Sequence, residues 1–260
     1  MGHPLFTLDG TTALVTGAGS PGGIGFATAR LLAELGCAVA VCATGARVED
    51  RATELRRLGG SVSAHRGDLT DPEQARRVVE EALDAHGRID LLVNNAGMAQ
   101  EGRPEGFRPV SELDPREWRE GVSRSLDTCF FVTRYALPSM LARGSGAIVN
   151  VASVTGPLVA TPGESAYAAA KAAMVGLTRT LALEVAGRGV TVNAVAPGWV
   201  ATDTQLPEER VASAAAPMGR AASPEEVAAV VAFLAMPGAR YVHGATLVVD
   251  GANHLVERLA

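Results

Sequence analysis

Thr12-Ala13-Leu14-Val15-Thr16 runs without a break into Gly17-Ala18-Gly19-Ser20-Pro21-Gly22-Gly23-Ile24-Gly25, and this stretch decides the fold. A short apolar run that ends in glycines fits a parallel strand buried on both faces. From Ile24 to Leu35 the apolar positions take helical spacing, and Gly36 stops them as a C-terminal glycine does. Strand, glycine turn and helix in that order gather backbone N–H groups and a helix N-terminus at one point. A diphosphate is stabilised at such a point. A tight turn without a ligand has the same spacing, so the surrounding sequence has to decide.

The pattern repeats outward. Ala38–Ala43 and Val62–Arg66 read as strands, with a helix over Val48–Leu58 between them that stops at Gly59 and Gly60. Asp71 and Pro72 form an N-cap and a first helical position, opening a helix to about His86. Ile89–Val93 is the next strand. Pro115 opens a long helix to about Arg143, with Pro138 as its kink or break. Ala147–Val151, Val190–Val195 and Thr246–Val249 complete the strands. Helices fill Glu164–Ala186 and the stretch from Ser223-Pro224-Glu225-Glu226 through Ala235. Seven strands alternating with helices imply an α/β fold, a doubly wound Rossmann-type parallel sheet with helices on both faces. Nothing linker-like divides the chain, so residues 1–260 read as a single domain. Met98–Asp114 and Asp203–Ala222 lack a period and are long connections, of the kind that carries function. Ligands of such sheets bind beyond the carboxyl ends of the strands.

Composition removes several function classes. Of 260 residues 47% are hydrophobic but only 4% aromatic, so Ala, Val and Leu must fill the core. Charges interrupt every apolar run before the roughly 18 residues of a membrane span. The opening MGHPLFTLDG has no signal-peptide character, which points to the cytoplasm. A net charge of −5 with scattered arginines argues against a nucleic-acid partner. Cys37, Cys42 and Cys129 lack metal-ligand spacing and read as reduced core thiols, so no metal is expected. His65, His86 and His254 read as surface or loop residues, and His243 as structural. Trp118 reads as helix core, and Trp199, beside Gly198, either shapes a pocket or does not.

Two places carry chemistry. After the second strand comes Ala43-Thr44-Gly45-Ala46-Arg47, with no acid before Glu49. An acid there binds the ribose hydroxyls of NAD and repels a 2′-phosphate. The Thr44 hydroxyl and the Arg47 guanidinium suit a phosphate instead, which favours NADP; the alternative for Arg47 is an ordinary surface residue opening the next helix. Among 23 basic residues there is a single lysine, Lys171, and it follows Tyr167 by four positions on one helix face. A phenol titrates at about 10, too high for acid–base work near neutrality, and a neighbouring ammonium lowers that value. Ser153 closes a strand at its carboxyl end, where its hydroxyl can hold a substrate oxygen.

On these residues the chain resembles the short-chain dehydrogenase/reductases over essentially its whole length. The resemblance is carried by the glycine turn, Asp68-Leu69, Asn94-Asn95-Ala96-Gly97, Ser153, Tyr167, Lys171, Pro197-Gly198, Thr202 and Val249-Asp250-Gly251. It implies a cofactor held by Gly17, Gly19, Ser20, Gly23, Ile24 and Gly25, with Asp68 and Leu69 flanking adenine and Asn94, Ala96 and Gly97 lining its path. Pro197, Gly198, Val200 and Thr202 would surround the nicotinamide. Tyr167 would be the acid/base, Lys171 would bind the nicotinamide ribose and lower the tyrosine pKa, and Ser153 would orient the carbonyl. The nearest-looking branch reduces 3-oxoacyl-(acyl carrier protein) thioesters and related polyketide or alicyclic ketones, and the family usually forms tetramers. The expected activity is therefore an NADP(H)-dependent ketone reductase, with an NAD-dependent secondary alcohol dehydrogenase and a non-catalytic NADP-binding regulator as alternatives.

Three departures stand out. The glycine turn is about two residues longer than the family's usual one, and Pro21-Gly22 replaces the basic residue that many NADP-dependent members carry. Ser125 stands where the long central helix usually has an asparagine, which holds a water linking the lysine to solvent; a serine reaches less far. Met98–Asp114 is about six residues longer than usual, and its Glu101, Arg103, Phe107 or Arg108 would bear on substrate choice.

Overall fold

The computed structural model describes residues 3–97 and 107–256. In chain order the elements are β1 (Thr12–Thr16), α1 (Ile24–Glu34), β2 (Ala38–Ala43), α2 (Arg47–Arg56), β3 (Val62–Arg66), α3 (Pro72–His86) and β4 (Leu91–Asn94). Then follow α4 (Pro115–Val122), α5 (Thr128–Arg143), β5 (Gly146–Val151), α6 (Ser165–Val185), β6 (Val190–Pro197), α7 (Pro207–Ala214), α8 (Pro224–Ala235) and β7 (Thr246–Val249). The seven strands form one parallel sheet in the order β3-β2-β1-β4-β5-β6-β7. The order reverses between β1 and β4, and that switch opens a crevice at the strand carboxyl ends.

Alternation along each strand sends side chains to two separate cores. Val15, Val39, Val93 and Val149 pack on one face against Leu32 of α1, Leu55 of α2 and Val231 of α8. Leu14, Leu92 and Ile148 pack on the other against Val78 of α3, Val132 and Met140 of α5 and Leu181 of α6. All three cysteines are buried free thiols, and burial raises their pKa values, Cys42 and Cys129 to about 12. At the amino ends of the strands, Asp90 is buried and accepts from Thr12 N (3.0 Å) and from Arg88 (2.6 Å), which pins β1 to β4.

Helix ends follow the sequence. Asp71 Oδ1 accepts from Glu73 N (2.9 Å) at the start of α3, and Gly87 closes it at φ +74°. Ser223 and Glu226 cap α8 reciprocally, and Arg220 pairs with Glu226 (2.7 Å).

The structure corrects several expectations. The long helix does not break at Pro138; α5 runs through it, held by α3, β4 and β5. The irregularity is a single wide π-type turn at Ser123–Asp127, between α4 and α5. Asp203–Ala222 is not wholly irregular, since it contains α7. Trp118 is 40% exposed rather than core, because α4 meets α6 through Gly121, where an added Cβ would lie 3.0 Å from Ala166 Cβ. His65 is buried rather than superficial. Its Nδ1 meets Glu81 on α3 (3.2 Å) and its Nε2 meets Ser63 Oγ (2.7 Å), which also contacts His86 (2.8 Å). His243 is structural as expected, accepting from Val192 N (3.1 Å) and bonding Ala182 O (2.7 Å).

Candidate active site

Two cavities, of about 430 and about 270 Å³, meet at the carboxyl ends of β1 and β4 and share Gly17, Ser20, Asn95, Gly97 and Thr204. Their meeting point is made by two turns clasped together. Thr16 Oγ1 accepts from both Asn95 N and Ala96 N (3.0 Å each), and Asn95 Nδ2 donates to Thr16 O and Gly17 O (3.0 and 3.1 Å). The approach is so close that only glycine fits: a Cβ on Gly17, at φ +69°, would lie 2.8 Å from Ala96 Cα, and one on Gly25 would lie 2.5 Å from Gly17 O.

The larger cavity extends over β2 and β3. Gly19, Ala43, Thr44, Arg47, Asp68 and Leu69 line it, with Ala96 at its base. The smaller cavity extends over β5 and β6, where Gly23, Ile24, Ser153, Tyr167, Lys171, Pro197, Gly198, Val200 and Thr202 line it. Residues far apart in sequence are thus brought to one crevice. Asn94 faces elsewhere: it is buried, and its Nδ2 donates to Thr133 Oγ1 and Asn150 Oδ1 (2.9 Å each), tying β4 to β5 and α5. Asn95 is the asparagine at the cavity wall.

Within the smaller cavity, Lys171 is 4% exposed and its Nζ donates to Val151 O (2.8 Å). The same nitrogen lies 5.6 Å from the centroid of the Tyr167 ring, over its face. Ser153 Oγ accepts from Thr155 N (3.0 Å), which fixes the oxygen and leaves the hydroxyl hydrogen to point at a ligand. Ser125 lies behind Gly97 on the wide turn. A Cβ built on Gly97 would sit 3.6 Å from Ser125 Cα and 3.8 Å from Lys171 Nζ, and the buried Ser125 Oγ has no hydrogen-bond partner among the described residues. π-type turns of this kind gather at functional sites.

Trp199, which the sequence left open, lines the smaller cavity, and three residues that the sequence reading did not single out, Glu164, Glu209 and Asn253, line it too. Glu164 alone had a signal, since it precedes Tyr167 by three positions. Burial, with the charge of Glu209 beside it, holds the Glu164 carboxyl above its ordinary pKa, while a hydrogen bond from Thr161 opposes the shift. Asp203 closes the site from above. Its Oδ2 accepts from Ser20 Oγ (2.9 Å) and Gly22 N (2.7 Å), joining the segment after β6 to the lengthened glycine turn. Glu101 and Arg103 lie outside the described residues. Arg108 N donates to Gly163 O (3.2 Å), and the Arg108 side chain stands 3.7 Å from Glu117.

A continuous crevice with a hydroxyl and a guanidinium at one end and a buried ammonium at the other fits a dinucleotide. Residues 17–254 match the family model described as enoyl-(acyl carrier protein) reductase. The chain belongs to the short-chain dehydrogenase/reductase family. It is 44% identical over 92% of its length to cis-4-hydroxycyclohexanecarboxylate dehydrogenase of Sinomonas cyclohexanicum, covering 94% of that protein. To the 3-oxoacyl-(acyl carrier protein) reductase of Thermotoga maritima it is 39% identical, over 94% of this chain and 98% of the other. A solved structure from Beutenbergia cavernae, a candidate NAD(P)-dependent gluconate 5-dehydrogenase with NADP bound at low occupancy, superposes with a TM-score of 0.88 at 43% identity, over 97% of this chain and 100% of that one. Membership in this family makes the chain an oxidoreductase of the alcohol–ketone kind. Among the described residues no helix is long and apolar enough to cross a membrane, and no His, Cys, Asp and Glu group could hold a metal ion.

Proposed function

We propose that the chain is an NADP(H)-dependent reductase that converts a ketone into a secondary alcohol, with residues 1–260 acting as one dinucleotide-binding and catalytic domain. The observation that carries this is the convergence of Ser153, Tyr167 and Lys171 on one cavity. The bound nicotinamide supplies the hydride. Thr44 and Arg47 hold the 2′-phosphate, Asp68 and Leu69 flank the adenine, and Pro197, Gly198, Val200 and Thr202 frame the nicotinamide. The Ser153 hydroxyl donates to the carbonyl oxygen and fixes it. The Tyr167 hydroxyl gives that oxygen its proton. Lys171, held rigid by Val151 O, contributes a buried positive charge that favours the phenolate left behind. Ser125 supports the return of a proton from solvent through water beside Lys171.

The cavity of about 270 Å³ suits a cyclic ketone or the reacting end of a 3-oxoacyl thioester, with the Trp199 ring as one wall. The protein works in the cytoplasm as a tetramer. Disappearance of NADPH absorbance with cyclohexanone or a 3-oxoacyl thioester tests the reaction. Tyr167→Phe should lower kcat by about 10²–10⁴-fold, yet leave NADPH binding, followed by fluorescence, nearly unchanged. A Tyr167→Phe enzyme that keeps most of its turnover would refute the assignment.

A further inference from the structure

The smaller cavity is lined by two carboxylates, Glu164 and Glu209, that the hydride transfer does not use. Glu164 stands at the N-terminal boundary of α6, three positions before Tyr167, and its side chain makes no hydrogen bond to the helix end. Both line the cavity. Glu209 lines the same cavity, close enough for its charge to act on Glu164. Leu206 N donates to its Oε2 (2.7 Å), which steadies the carboxylate at the start of α7. Besides these two, the only ionisable groups on the described wall are Tyr167 and Lys171, which the reaction already occupies. Thr155, Val159, Thr161 and Trp199 also line this cavity, and Thr161 hydrogen-bonds the Glu164 carboxyl.

Resting on the ketone-reductase reading of this site, we propose that Glu164, faced by Glu209, sets substrate choice. The pair selects a cyclic ketone with a hydrogen-bond donor, a hydroxyl or an ammonium, across the ring from its carbonyl, and rejects one with a carboxylate there. Ser153 and Tyr167, which take the carbonyl oxygen, line the same cavity as Glu164, so a six-membered ring held there shares its walls with that carboxylate. An ionised carboxylate only accepts hydrogen bonds. A substrate hydroxyl completes it with a short O–H···O⁻ bond, and an ammonium adds charge attraction. A substrate carboxylate brings no donor and a third negative charge to a half-buried wall that already holds two. The upward displacement of the Glu164 pKa shows that this wall already resists its own negative charge. Substrate discrimination of this kind comes from buried polar groups left without a partner, and it exceeds what a change in apolar volume produces.

The test uses the full-length enzyme with saturating NADPH and three ketones of one shape: cyclohexanone, 4-hydroxycyclohexanone and 4-oxocyclohexanecarboxylate. The expected kcat/KM for the hydroxyketone exceeds that for the carboxylate by at least about tenfold, or 1.4 kcal/mol, and the difference lies mainly in KM. Glu164→Gln should shrink that ratio by about fivefold or more, each rate being referred to cyclohexanone in the same variant. Glu209→Gln should move the ratio the same way, and it serves if the first variant fails to fold. A carboxylate substrate equal to or better than the hydroxyketone, with cyclohexanone still reduced, overturns the selectivity and leaves the reaction class standing. A ratio untouched by both variants also overturns it. Failure to reduce any ketone overturns the reaction class, and this inference with it.

Discussion

Ala43→Asp should turn the enzyme from NADPH toward NADH. Ala43 is the last residue of β2 and lines the larger cavity beside Thr44 and Arg47. Its backbone carbonyl is already engaged by Gly67 N (3.1 Å), so the substitution changes the side chain and not the strand. A carboxylate at this place faces the same space as the Thr44 hydroxyl. At 4–5 Å and an effective dielectric constant near 20, each unit of phosphate charge costs about 3–4 kcal/mol. Solvent and the nearby Arg47 guanidinium reduce this to about 2 kcal/mol, or about thirtyfold in kcat/KM for NADPH. NADH gains a hydrogen bond from each ribose hydroxyl to the new carboxylate, about 1 kcal/mol or about fivefold. The NADPH/NADH ratio of kcat/KM should therefore fall about a hundredfold. The assay is steady-state oxidation of each cofactor at fixed ketone, with thermal unfolding as a check on the fold. A ratio that moves by less than about threefold, or an unmodified enzyme that uses both cofactors equally, would show that the end of β2 does not read the phosphate.

Three other outcomes follow from the same geometry. Ser125→Ala removes a buried hydroxyl without a partner, so stability should change by less than about 1 kcal/mol, with turnover slowed only modestly, and Ser125→Asn should be tolerated; a loss as deep as that of Tyr167→Phe would disprove the subsidiary role. Light scattering at micromolar concentration should give the mass of a tetramer, since Leu183 on α6 is 80% exposed and Phe130 on α5 is 44% exposed; a monomeric mass would contradict it. Shortening Met98–Asp114 by about six residues should alter KM for bulky ketones far more than the affinity for NADPH, and the reverse pattern would place that loop at the cofactor instead.

The legible parts of this protein are those where one local rule settles the structure. Thr12–Gly25 announces strand, turn and helix because apolar period, glycine and helix start all occur within a few residues. Tyr167 and Lys171 announce themselves because four positions along a helix make neighbours. Residues that meet only through the sheet are another matter. His65 reads as a surface residue because its partner Glu81 lies on the next helix, beyond the reach of any spacing rule. Asn94 and Asn95 are chemically identical in the sequence, and only strand alternation turns one into the interior and the other to the crevice. Glu209 sits on α7, whose short helix is hidden in a stretch with no clear period. Trp118 misled for a related reason: the contact that buries α4 is made by Gly121, a residue with no side chain to advertise it.

The bond that Gly22 N donates to Asp203 limits how this chain can be recombined with its relatives. The lengthened glycine turn near the start of the chain and the segment after β6 near its end are a matched pair. A Cβ on residue 22 would stand 2.3 Å from Asp203 Oδ1, and Ser20 Oγ donates to the same Oδ2 oxygen that Gly22 N engages. Neither half can be transplanted alone. A chimera that receives a shorter turn leaves the Asp203 carboxylate without its backbone donor, and one that receives a foreign segment after β6 leaves Gly22 N without its acceptor. The two segments, 181 positions apart in the sequence, therefore have to be exchanged together.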